Sequence, residues 1–314
     1  MEYRQLGTSG VRVSTIGLGT NRFGSDALPQ NEVNNIIDAA IDLGINLIDT
    51  ADVYTKQQSE ITLGNALKGR WDRVVLATKA FFPVGEGPND RGTSRYHLLN
   101  AVDASLIRLQ SDHIDLFYVH RWDEATPIQE TLRALDDLVR WGKVRYLGAS
   151  EFASWQLAHA NLLAELKGWT PFVALQSHYN MLKRDVEGEV LPTCRAHGVG
   201  FIPYFPLAGG FLTGKYERDR PAPPGSRGES NRYVQGFMTD ANYDVIEKLS
   251  AWAADRGRGM NELAQAWLLV HPEVSSVISG ATKLAHVQSN VKAADWTLSG
   301  NELAEVNAIL DGTP

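Results

Sequence analysis

The sequence predicts an α/β protein: a (β/α)8 TIM barrel over residues 1–314, with an N-terminal β-hairpin and a long loop after strand seven. Three observations carry this. Short β-branched runs alternate with longer amphipathic ones along the whole chain, a pattern that means parallel strands joined by right-handed crossovers. The runs number eight, and eight such units close a barrel. The length of 314 residues fits that fold, and no mid-chain linker interrupts the rhythm. Together these disfavour an open doubly wound sheet and leave a single barrel domain.

In chain order, a hairpin is expected over residues 2–13. The strands that follow are VSTIGLG (13–19), INLIDTA (45–51), RVVLATKA (73–80), HIDLFYVH (113–120), KVRYLGAS (143–150), FVALQSH (172–178), VGFIPYF (199–205) and VSSVISG (274–280). Between them, apolar residues spaced by three and four predict helices, for example over 31–44, 93–109 and 128–142. Ser94 or Thr93 is placed to cap the second of these, and Gly142 to close the third after Arg140 and Trp141. The segment Ala208–Asp240 breaks the pattern. It is rich in Gly, Pro and Arg and too long for an ordinary turn. In a barrel it would overhang the mouth, where sites are built.

Composition narrows the partners. Hydrophobic residues make up 43% and charged residues 21% of the chain, as in ordinary globular proteins. A formal charge of −7 argues against nucleic acid or an anionic membrane, because phosphate binding needs a basic face. Cys194 is the one cysteine, so no internal disulfide can form; within VLPTCRAHG it reads as a small buried hydrophobe. The N-terminus lacks the apolar stretch of a signal peptide, and no apolar run approaches the ~20 residues that span a bilayer. A cytoplasmic location is the expectation.

Barrel enzymes carry reactive side chains at the C-terminal ends of strands. Strand two ends in IDTADVY, offering Asp49, Asp52 and Tyr54; strand three ends in Lys79 and strand four in His120. Singly, each has an ordinary reading: a turn-forming aspartate, a packing tyrosine, a solvated lysine, a structural histidine. Convergence on one mouth changes that. Lys79 closes an apolar run, so it is expected to be buried and to need a partner, which Asp49 on the neighbouring strand can be. A phenol is a poor acid at neutral pH unless a cation favours its phenolate. Lys79 would supply that cation, making Tyr54 unusually acidic, and His120 could hydrogen-bond the same substrate oxygen. The chemistry suggested is proton donation to a carbonyl becoming an alkoxide.

IDTADVY, LATK, IDLFYVH and YLGAS, in this order and strand context, resemble the aldo-keto reductase superfamily, and the likeness runs from IGLGT to the closing GATK segment. The resemblance implies NADPH-dependent reduction of small aldehydes and ketones, with Tyr54 as acid, Lys79 and Asp49 tuning it and His120 orienting the carbonyl. It further implies an extended cofactor across the mouth. Gly19, Thr20 and Asn21 would approach it; Ser150 and Gln176 would hold the carboxamide; Tyr204 would stack on the nicotinamide. Pro206, Leu207 and Lys215 would line the pyrophosphate path, and Gly280, Thr282 and Asn290 the adenosine site. Arg227 matches the arginine that meets a 2′-phosphate, which favours NADPH over NADH; a solvated loop arginine is the alternative, as a helix cap is for Thr282. A Rossmann reading of Gly17, Gly19 and Gly24 is weak, since the third glycine is misplaced and no helix follows directly.

Two departures stand out. Glu151 follows Ser150 where many relatives carry Asn, and His286 and Ser289 replace Gln and Glu near the expected adenine. The chain ends at DGTP soon after its final helix, so the substrate pocket is expected to be open, walled by Phe23, Phe82, Trp122 and the long loop, although each aromatic can equally be packing. Three rival functions compete. A non-catalytic nicotinamide-binding subunit, like the channel β subunits that resemble this family, is disfavoured because those carry Asn where His120 stands. A Schiff-base aldolase would use Lys79 as nucleophile. A metal-dependent hydrolase would use His120, Asp123, Asp49 and Asp52, but no paired-histidine motif is present.

Overall fold

The computed structural model describes residues 1–312, so Thr313 and Pro314 of the DGTP end lie outside the described residues. β1 (Tyr3–Gln5) and β2 (Arg12–Ser14) pair antiparallel as a hairpin. Eight parallel strands then close a barrel: β3 (Ile16–Gly19), β4 (Leu47–Asp49), β5 (Val75–Ala80), β6 (Ile114–Val119), β7 (Val144–Ser150), β8 (Phe172–His178), β9 (Gly200–Tyr204) and β10 (Val277–Gly280). Closure is made by β10, which pairs with β9 and also with β3, setting Gly280 beside Gly19 at the mouth.

The first expected strand is in fact divided. Arg12–Ser14 belongs to the hairpin, and the barrel begins at Ile16. Asn46 marks the break, its side-chain oxygen accepting from the Ser14 N–H at 2.6 Å and its own N–H donating to Ser14 Oγ at 3.1 Å. The second strand is shorter than expected. Beyond Asp49 the chain still follows β5, with Thr50 and Asp52 donating backbone bonds to Ala77 and Lys79.

Helices α1 (Gln30–Asp42), α2 (Gln58–Leu67), α3 (Arg95–Leu109), α4 (Ile128–Arg140), α5 (Ser154–Lys167) and α6 (Val190–His197) fill the crossovers. Ser94 caps α3 by accepting from the His97 N–H, and Gly142 adopts a left-handed φ of 74° just past α4. After β9 the chain does not run as one structureless loop. A 3-10 turn (Ala208–Thr213) leads to two short helices, α7 (Arg227–Ser230) and α8 (Arg232–Gln235), the second capped by Asn231. Helices α9 (Asp240–Ala254), α10 (Met260–Leu269), α11 (Leu284–Lys292) and α12 (Gly300–Leu310) complete the outer layer. Cys194 is fully buried on α6, and burial pushes its thiol up to about 12.

Two apolar cores result. The larger lies between strands and helices; α4, for instance, turns Leu132, Leu135 and Leu138 inward. The smaller fills the barrel with Leu47, Ala77, Leu116, Tyr118, Ala174, Ile202 and Ile278. Leu6 and Val13 of the hairpin join it, so the hairpin stoppers the N-terminal end of the barrel. Chemistry is thereby left to the opposite mouth. No described helix is long and apolar enough to cross a membrane.

Candidate active site

Adjacent strand ends bring the expected quartet together. Asp49 ends β4, Lys79 lies one residue from the end of β5, and His120 follows β6. The Lys79 side chain is fully buried, and its ammonium donates to Asp49 Oδ1 at 2.6 Å, the Thr50 carbonyl at 2.8 Å and the Tyr54 hydroxyl at 3.4 Å. An ammonium has three hydrogens, and all three are used. Gln176 Nε2 donates to the other Asp49 oxygen at 2.9 Å, which fixes the carboxylate from β8. Lys79 also stands 5.1 Å from the Tyr54 ring centre. Removing one member of such a buried pair typically costs about 3–5 kcal/mol, because a bare charge remains.

Burial alone would drive Lys79 towards the neutral amine. Asp49 and Tyr54 more than offset it, and its pKa is raised. Tyr54 departs from expectation. Burial raises its pKa and Lys79 pulls the other way without prevailing, so the free protein holds a protonated phenol rather than an unusually acidic one. The physical reason is burial first, which strips the phenolate of its solvation; Asp49, the ammonium's closest contact, then adds its own opposition to a phenolate. His120 is pushed well below its ordinary value by burial, then by the charges of Lys79 and Arg121, and is neutral. Its ring meets Tyr54 edge-on at 6.0 Å and Phe82 at 4.9 Å, and its Nδ1 has no partner among the described residues.

Around the rim, Ser150 and Gln176 are register neighbours on β7 and β8. Tyr204 ends β9 with its ring stacked on His178, 5.4 Å between centres and 21° between planes. Glu151 has a left-handed φ of 56°, and its carboxylate accepts from Arg121 at 3.1 Å and from the His178 backbone N–H at 2.8 Å. Both Glu151 carboxylate oxygens are thereby engaged, one by Arg121 and the other by the His178 backbone. Asn21 is exposed, whereas Thr20 is buried and donates to the Asp49 carbonyl at 2.9 Å. Thr20 serves the fold of the strand end.

Pro206 is buried and Leu207 half-buried at the head of the 3-10 turn, where Gly209 and Gly210 take positive φ. Lys215 lies 5.1 Å from the Tyr216 ring and Arg227 5.8 Å from the Phe205 ring, and neither meets a carboxylate among the described residues. Burial lowers the Arg227 pKa, and the like charge of Arg22 adds to this. His286 is lowered by burial and then by Lys283 and Lys215. One side of the mouth thus gathers cations that have no carboxylate partner among the described residues, an arrangement that fits phosphate groups. Gly280 is exposed at the end of β10, and Thr282 is exposed beside His286, with Lys283 and not Thr282 in the cap position of α11. Asn290 is turned inward, within 3.4 Å of Gln265 Nε2.

The aromatics divide. Phe23 is fully buried and packs in the core, so it does not wall an open pocket. Phe82 is half-buried against His120, and Trp122 meets Phe152 and Trp155 edge-on at 5.2 and 5.5 Å. Sequence reasoning missed Arg22, Trp155 and Tyr233. Tyr233, carried on α8, reaches His178 Nδ1 with its hydroxyl at 2.8 Å. Nothing in the local sequence signals that long-range contact. Among the described residues no three His, Cys, Asp or Glu side chains gather as a metal-ligand set.

The model of the Aldo/keto reductase family matches residues 15–311. The chain is 38% identical to a probable voltage-gated potassium channel subunit beta of Arabidopsis thaliana, covering 94% of this chain and 92% of that protein. It is 35% identical to the L-glyceraldehyde 3-phosphate reductase of Escherichia coli, over 99% of this chain and 93% of that one. It is 34% identical to the versiconal hemiacetal acetate reductase of Aspergillus parasiticus, over 90% of each.

Proposed function

The chain belongs to the aldo/keto reductase family, and from that premise we propose that it reduces small aldehydes and ketones to alcohols with NADPH. The observation that carries this is the buried Lys79 ammonium held between the Asp49 carboxylate and the Tyr54 hydroxyl. A carbonyl oxygen placed against Tyr54 receives its proton as negative charge develops, and Lys79 stabilises the phenolate left behind. Asp49, fixed by Gln176, keeps the ammonium charged and aimed. His120, neutral and edge-on to Tyr54, offers a ring N–H to the same oxygen.

A reduced nicotinamide supplies hydride to the carbonyl carbon when bound. Ser150 and Gln176 would hold its carboxamide, the Tyr204 ring would support it, and Lys215 and Arg227, lacking carboxylate partners, would take the phosphates. The half-exposed rim of Phe82 and Trp122 suits small and aromatic carbonyls. A Schiff-base role for Lys79 is disfavoured, because its nitrogen is protonated and fully hydrogen-bonded. A buried free thiol at Cys194 suits a reducing, cytoplasmic setting.

The test is absorbance of the reduced cofactor during incubation with a mixed carbonyl panel, first with NADPH and then with NADH. Consumption with several small or aromatic aldehydes, faster with NADPH, is expected. Silence across the panel would favour a non-catalytic nicotinamide-binding subunit, and turnover of a single bulky steroid would exclude an open pocket.

A further inference from the structure

Behind Tyr54, the end of β4 with α2, α3 and β5 encloses a second set of charges that the reduction step leaves unused. Glu60 on α2 is fully buried, accepting from Arg108 Nε at 2.7 Å and from Thr78 Oγ1 at 2.6 Å. Lys79 and Asp49 make their own pair at 2.6 Å. Two cations and two carboxylates therefore cancel. Asp52 sits beside them at 1% exposure, in the turn that carries Tyr54, its backbone N–H donating to the Lys79 carbonyl at 3.0 Å. Neither of its carboxyl oxygens has a hydrogen-bond partner among the described residues. A fifth charge there would be buried and unpaired, which is costly, whereas a neutral acid is not. Burial and then the charge of Glu60 raise the Asp52 pKa to about 8, against the weaker pull of Arg108, of Lys79 and of the neighbouring Val53 N–H, which falls short of hydrogen-bond geometry.

We propose that Asp52 is a positioning residue kept as a neutral carboxylic acid, and that its ionisation weakens Tyr54 as a proton donor and so sets an alkaline limb on carbonyl reduction. This rests on the reaction assigned above. Tyr54 becomes phenolate-like as it gives up its proton, and a carboxylate two residues away opposes that state, as it opposes the free phenolate. The charged and titratable groups facing Asp52 are Glu60 from α2, Arg108 from α3, Lys79 from β5, and Tyr54 from its own segment. Stability follows the same titration. The folded state keeps a proton that the unfolded chain releases near the ordinary value of 3.8, so this contribution is lost as pH rises from there to about 8.

Asp52→Asn reproduces the shape of the neutral acid and cannot ionise. The kcat/KM for reduction is measured against pH, with denaturant unfolding in parallel. At neutral pH the variant is expected within about threefold of the parent. Crossing the ionisation near 8, the parent loses roughly threefold to tenfold and the variant does not. The variant also gains stability relative to the parent as pH rises. Identical alkaline limbs in the two proteins would overturn the inference while leaving the reaction intact; absence of turnover by the parent at every pH would overturn both. Should Asp52→Asn not fold, Glu60→Gln removes the neighbouring charge and is expected to move the limb to lower pH. An unmoved limb there is equally fatal.

Discussion

Lys79 has three hydrogens and three acceptors, and that match explains why one buried cation can organise the site. Its position was legible because strand period and strand-end placement are sequence properties: an apolar run ending in Lys beside a strand ending in Asp leaves few alternatives. The state of Tyr54 was not legible. Whether burial or a neighbouring ammonium wins depends on how deeply the phenol is enclosed, and only the packed structure shows burial prevailing. Phe23 failed for the same reason, since an aromatic in a loop carries no mark of the side it faces. Arg227 allows a test at this scale. Its replacement by alanine is expected to weaken NADPH binding about tenfold or more and NADH binding far less, because the guanidinium would meet a phosphate that only the former has. Equal losses for both cofactors, measured by fluorescence titration, would remove the 2′-phosphate role.

Between Tyr54 and α2 the chain does something unusual for an element boundary. Thr55, Lys56 and Gln57 take successive positive φ values of 47°, 53° and 73°, although none is glycine. Left-handed backbone costs an L-residue about 1–2 kcal/mol, and the segment is held by Thr55 Oγ1 on the Phe23 carbonyl and Gln57 Nε2 on the Val84 carbonyl. The strained turn fixes where Tyr54 emerges. Lys56 is exposed, so its side chain loses little packing on replacement. Lys56→Gly is expected to raise stability by up to about 1 kcal/mol and Lys56→Val to lower it by more than about 1 kcal/mol. Denaturant unfolding of the pair checks this, and the opposite order would mean the turn is not strained. Helix caps such as Ser94 could be read in advance because capping is local. The fold of the segment after β9 could not, since Tyr216 holds Gly228 and Tyr233 reaches His178 across long separations.

At the scale of the whole molecule, the barrel is an asymmetric vessel with one end stoppered. The eight-strand rhythm foretold the vessel, but the hairpin's role depends on tertiary contact and emerged only with the fold. Gly7 is where hairpin and barrel meet most closely. At φ +58° an added Cβ would lie 2.7 Å from the Val173 carbonyl oxygen and closer still to that of Gly198. Gly7→Ala is therefore expected to cost more than about 2 kcal/mol in unfolding experiments while leaving KM of the folded fraction unchanged. A neutral substitution would show that the stopper is loosely seated. The central claim concerns the other end. Single-turnover reduction of an aromatic aldehyde by NADPH-loaded Tyr54→Phe is its most direct test, with cofactor affinity measured in the same preparation. Loss of the chemical step by about 10²–10⁴-fold, at cofactor affinity within about threefold of the parent, is the expected result. A variant that transferred hydride at the parental rate would show that another group delivers the proton.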